Sequence, residues 1–320
     1  MSSVASLASP FFGLIFLGFF CGKLLKYPEA GLQWMNFFIV YVALPGLFFK
    51  LIAAAPLDQL ANWSFVAGTS LATGLAFSAA FAVGMLATRG DVREAAVQGV
   101  AGGYANVGYM GPGLTIAALG QAAIVPTALI FVFDTILLFT LVPFLMALGG
   151  KGEMNWGQTA WYVVKRVVTH PFNIATAVAV AAAYAHFEPP VALDTMLTFL
   201  KNAAAPCALF TMGVTVALRP VRRIPAETPA LLCIKLLLHP LLAWVILSWI
   251  GNFSREWMFT AVLMASLPPA LNVFVIANQY KTYVERASTA ILLGTLASVA
   301  TVTTLLILIA EDRIPYDLFP

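Results

Sequence analysis

Residues 102–114 read "GGYANVGYMGPGL", inside a run with no charged residue between Glu94 and Asp134. A run that apolar suggests membrane-spanning helix. Yet the piece carries Gly102, Gly103, Gly108, Gly111 and Gly113, together with Pro112. Proline inside a helix removes a donor and clashes with the preceding turn, at about 3 kcal/mol. Broken backbone at membrane depth survives only where protein or a watery cavity shields it.

The surroundings make the break matter. The 320 residues are 61% hydrophobic and only 10% charged, with a mean hydropathy of +0.90. Soluble chains carry roughly 25% charge, so this is a polytopic membrane protein. No long polar segment suggests an attached soluble domain. The net charge of +3 reflects basic loop residues rather than a nucleic-acid footprint, and no nucleic-acid partner is expected. Cys21, Cys207 and Cys233 fall in apolar runs and read as small buried hydrophobes, not as a disulfide or metal set. The opening "MSSVASLASP" lacks a basic region, so residues 11–25 read as a retained first helix.

A spanning helix needs about 20 mostly apolar residues. Charges, prolines and glycines mark out ten spans, near 9–26, 32–54, 61–87, 94–120, 121–148, 160–187, 190–218, 226–250, 256–280 and 286–310. Basic residues sort cleanly by alternate loops. Lys23, Lys26, Arg89, Arg93, Lys151, Lys165, Arg166, Arg219, Arg222, Arg223, Lys281 and Arg286 share one side. The other side, with the tails, holds Lys50, Arg255 and Arg313. Both termini are therefore expected outside. Residues 156–168, "WGQTAWYVVKRVV", read either as an interfacial segment or as a plain start to span 6.

Landmarks recur about half a chain apart. Pro45 in span 2 is matched by Pro206 in span 7, Asn106 in span 4 by Asn272 in span 9, and Pro112 by Pro269 beside Pro268. Five spans followed by five place the second half upside down, an inverted repeat of 1–150 and 151–320. Each break exposes backbone donors at a half-helix tip that behaves like about half a positive charge. Two facing tips make an anion site. Asn106 precedes the first break and Asn272 follows the second, each offering a carboxamide. The candidate binding residues are Asn106, Tyr109, Gly111, Pro112, Pro268, Pro269 and Asn272.

Asp134, Lys201 and Lys235 are the ionisable residues that read as lying within the membrane. Asp134 in span 5 reads as a proton-coupling carboxylate or as a structural partner of a lysine. Lys201, five residues before an expected break at Pro206, and Lys235 are the candidate partners. Lys235 is expected instead to snorkel toward the cytoplasmic face. His239 reads as a satisfied structural histidine, and His170 and His186 mark helix ends. No HExxH, GxSxG, DDxxD or P-loop pattern is present, so an enzyme is not expected.

The stretches "NVGYMGPGL" in span 4, "PCALFTMGV" in span 7, "IKLLLHPLL" in span 8, "LPPALNVFVIANQY" in span 9 and "STAILLGTLAS" in span 10 resemble the auxin efflux carrier family. That family includes bacterial malonate and malate transporters. The resemblance implies an all-helical chain of ten spans in two inverted five-helix repeats. Spans 4 and 9 would be broken and cross near proline, with substrate beside the crossing. Spans 1, 2, 6 and 7 would form a scaffold that dimerises, and spans 3–5 and 8–10 a body that moves as an elevator. Plant members carry a long loop after span 5; the short "GGKGEMNWGQ" here points to the bacterial branch and its inner membrane.

The expected function is secondary transport of small organic anions, with a dicarboxylate such as malonate foremost. No cofactor or metal is expected; a proton is the expected coupling ion, with sodium as the alternative. The rivals are a sodium-coupled symporter of similar architecture and a membrane sensor that binds its ligand without moving it.

Overall fold

Helices dominate the computed structural model, which describes residues 2–25, 28–54, 57–150, 156–218 and 224–319. Among the described residues, six helices are long and apolar enough to cross a membrane: α2 (Ala30–Ala53), α3 (Trp63–Ala87), α6 (Gln121–Leu148), α9 (Val191–Ala217), α10 (Thr228–Ile250) and α13 (Val284–Ala310). Among them stand α1 (Ser2–Leu25) and α8 (Pro171–Tyr184), each with a shorter apolar stretch. Two further pairs are interrupted helices: α4 (Val92–Gly103) with α5 (Gly111–Leu119), and α11 (Arg255–Ser266) with α12 (Asn272–Gln279). Residues 156–168 form a separate amphipathic helix, α7 (Trp156–Val168), so span 6 is split at Thr169–His170. The basic loop residues Lys26, Lys151, Arg219, Arg222 and Arg223 lie outside the described residues.

Local chemistry explains the helix ends. The Asn62 side chain accepts from Phe65 N at 3.2 Å and starts α3. Asp91 accepts from the backbone of Arg93 at 2.9 Å and Glu94 at 3.0 Å and starts α4. Gly120 and Gly251, at φ +75° and +74°, stop α5 and α10 in a conformation that other residues rarely adopt.

Packing sorts the helices. α1 lies along α9, and both α8 and α9 lie against the second half of α2. α3 lies along α4, and α10 along α3 and α11. The α1–α9 seam is so close that a Cβ on Gly18 or Gly213 would strike the facing carbonyl oxygen of Phe210 or Ile15. Lys50 ties α2 to α9 through Asp194 at 2.7 Å and Thr198 at 2.6 Å.

Three sequence expectations change. Pro206 does not break its span, because α9 continues straight through it; a membrane helix tolerates proline where neighbours and local adjustment re-satisfy the freed groups. Asn106 sits within the first interruption rather than before it. The cysteines are not core residues: Cys233 is exposed and Cys21 and Cys207 are partly buried, because each lies on a helix face that its neighbours leave partly uncovered.

Candidate functional site

The two interruptions meet each other. Asn106 N donates to Pro268 O at 2.9 Å, and Ala270 N donates to Tyr104 O at 3.2 Å. Ala105 and Pro269 thus face one another in an isolated antiparallel bridge. By this exchange, backbone freed from each helix is satisfied by the opposite break. Pro269 occupies the member of the pair whose N–H would point away from the partner, so its missing donor costs no bridge bond. Its ring is accommodated by Gly294 on α13, where an added Cβ would lie 2.5 Å from Pro269 Cδ.

Remaining groups in the breaks fold back locally. Asn106 O accepts from Met110 N at 3.2 Å and Gly111 N at 3.3 Å, which leads the chain into α5. Leu271 O accepts from Phe274 N at 3.0 Å and leads into α12. The amino ends of α5 and α12 therefore flank the bridge, each bringing partial positive charge.

A small void of 60 Å³ lies beside the bridge, lined by Tyr104, Asn106, Gly108, Tyr109, Thr135, Ala270 and Asn272 among others. That volume holds a few waters or one small polar group. Asn106 is 1% exposed, and its amide donates to Met212 Sδ at 3.1 Å. The Tyr104 hydroxyl is 3.4 Å from Thr135 Oγ1 and within hydrogen-bonding reach of Asn272. The void adjoins a larger cavity of 590 Å³, with Val40, Tyr109, His170 and Asn272 lining both. The larger space also touches Asn36, Tyr41, Phe139, Thr215 and Asn278.

Asn106, Tyr109 and Asn272 are thus brought together on one void. Pro268 and Pro269 shape it through the bridge without lining it. Gly111 lies behind it, where a Cβ would meet Met264 Sδ at 2.6 Å, and Pro112 is buried beside it in the first turn of α5. Lys201 is half-buried on α9 and lines neither space.

Behind the void lies a buried polar cluster. Lys235 is fully buried, so it does not snorkel. It donates to Ala265 O at 2.5 Å and stands 2.9 Å from His239 Nδ1. Ala265 is next to last in α11, so its carbonyl is one of the orphans that the break creates. An ammonium there satisfies the acceptor and complements the negative helix end. His239 Nε2 lies 3.2 Å from Thr73 Oγ1. Thr73 also neighbours Asp134, which is 2% exposed and feels the Lys235 charge. His239 is a satisfied histidine, as read from the sequence. Its role in joining Asp134 to Lys235 was not legible there, because the partners come from three helices.

His170 was missed as a site residue. In the sequence it marks a helix end, and its position on the wall of both spaces depends on how α8 packs.

Comparison with known proteins gives the family. Residues 4–308 match the family model described as "Membrane transport protein". A protein of Rhizobium meliloti (strain 1021), provisionally named a malonate transporter, is 48% identical over 320 residues, covering 100% of each chain. An uncharacterized transporter of Methanothermobacter thermautotrophicus is 26% identical, covering 89% of this chain and 91% of its own. The uncharacterized transporter YfdV of Escherichia coli (strain K12) is 23% identical, covering 91% and 93%. These relatives are transporters by name, not enzymes. The chain is an integral membrane transporter and belongs to the membrane transport protein family, the auxin efflux carriers that its sequence resembles.

Proposed function

We propose that the chain is a secondary transporter of small organic anions in a bacterial inner membrane, with malonate as the foremost candidate substrate. The observation that carries this is the void between Asn106 and Asn272, flanked by the amino ends of α5 and α12. Carboxylate there meets amide donors and two partially positive helix ends, with no carboxylate among the described lining residues to repel it. The malonate assignment leans on the 48% identical Rhizobium relative.

Ten spans in two inverted halves account for the paired interruptions. α1, α2, α8 and α9 form the scaffold of this reading, and they pair with a second copy in the membrane. The remaining spans form the moving body. The 590 Å³ cavity is lined from both groups. It lies toward the ends of α2, α6, α9 and α12 that adjoin the basic loops, so the positive-inside rule makes this an inward-open state with both termini outside.

Asp134 carries the coupling proton in this account. Among the described residues it is the one carboxyl buried at membrane depth, and a proton removes the cost of its charge there. The test is uptake of labelled malonate into proteoliposomes. Asn106→Ala and Asn272→Ala are each expected to abolish uptake while leaving expression intact. Normal uptake in both would remove the crossing from the transport path. Saturable binding without flux in the unaltered chain would favour a sensor.

A further inference from the structure

A solute moving between the large cavity and the void passes Val40, Tyr109, His170 and Asn272, which line both. Among the described residues lining either space, only His170 can carry a positive charge; the others are apolar, amide, hydroxyl or phenol groups. The imidazole lies against Phe139, with ring centroids 5.1 Å apart. His170 is the N-cap of α8, and its side chain makes no cap bond there. Pro171 follows at the first helical position, where a missing N–H is no loss. The 14-residue α8 therefore brings a third helix amino end to the cavity wall.

The placement of these groups matters. Asn106 and Asn272 approach from the crossing, whereas His170 comes from the amino end of α8, which packs on α2. Amides and helix ends supply only partial charges, which suit one carboxylate better than two. The geometry points to His170, with the amino end of α8, as the subsite for the second carboxylate of a dicarboxylate. This rests on the reading in which the first carboxylate sits between Asn106 and Asn272. A carboxylate bound against the imidazole favours its protonated form, whose N–H then makes a charge-assisted bond. A monocarboxylate has nothing to offer this subsite, so His170 sets the preference for a dianion over a single charge.

The test is isothermal titration of the purified full chain with malonate and, separately, with propionate. The unaltered chain is expected to prefer malonate. His170→Gln keeps the side-chain bulk without the charge, and it is expected to weaken malonate by about tenfold or more, the loss of one charged hydrogen bond. Propionate affinity is expected to change by less than about twofold, well under one such bond. His170→Arg restores a cation and is expected to recover the malonate preference. Asn106→Ala is expected to weaken both acids alike, because it removes the subsite they share. Unchanged binding in Asn106→Ala overturns the crossing as the site, and this inference with it. Loss of both acids in Asn106→Ala with an unaltered preference in His170→Gln overturns only the role given to His170. Absence of any malonate preference in the unaltered chain does the same.

Discussion

At the scale of single residues, the buried charges are the most exacting feature. Asp134 and Lys235 are 2% and 0% exposed, and neither sits alone. Thr73 and His239 lie between them, and the Ala265 carbonyl anchors the lysine. Removing one charge strands the other at membrane depth, where an uncompensated charge costs around 2.5–3.5 kcal/mol on insertion scales. Lys235→Met is therefore expected to lower the melting temperature, and adding Asp134→Asn is expected to recover part of the loss. A double-mutant cycle on thermal unfolding should give a coupling of about 0.5–3 kcal/mol; additive effects would mean the two charges do not communicate. Asp134→Asn alone is expected to leave malonate binding measurable while abolishing the response of uptake to an imposed proton gradient. This cluster was only half legible in the sequence. The presence of Asp134 in an apolar run announces a partner. Which lysine supplies it depends on a carbonyl 30 positions away from Lys235 that becomes available only because α11 ends there.

At the scale of elements, the interruptions are readable and their mutual repair is not. Glycine and proline at 108–113 and 268–269 announce broken helix. Proline at 206 announces the same and is wrong, since α9 absorbs it. The difference is a facing partner: each true break has the other break to bond with, through Asn106 N–Pro268 O and Ala270 N–Tyr104 O. A single sequence records no such pairing. Gly294 is the neighbour on which the bridge depends most visibly, because its bare Cα admits the Pro269 ring. Gly294→Val is expected to push Pro269 aside, with an overpacking cost of about 1–3 kcal/mol. Both thermal stability and malonate affinity should fall together. A variant that melts lower yet binds normally would show that the bridge does not shape the void.

At the scale of the whole molecule, the account places the site on the seam between two groups of helices. The larger cavity draws residues from α2, α6, α8, α9 and α12 and leads to the void at the crossing. Cysteine introduced at Asn278, an exposed residue of that cavity, is expected to react with a membrane-impermeant maleimide in inside-out vesicles. The background would have Cys21, Cys207 and Cys233 replaced. Malonate should slow the reaction, and right-side-out vesicles should react less. Equal labelling from both sides would remove the inward-open assignment. The central claim, that two mutually bonded helix breaks form one anion site, is tested most directly by an experimental structure determined with malonate present. The account predicts density for the ligand between Asn106 and Asn272, with the Ala105–Pro269 bridge intact. Ligand bound elsewhere, or two breaks standing apart without their exchanged hydrogen bonds, would contradict it.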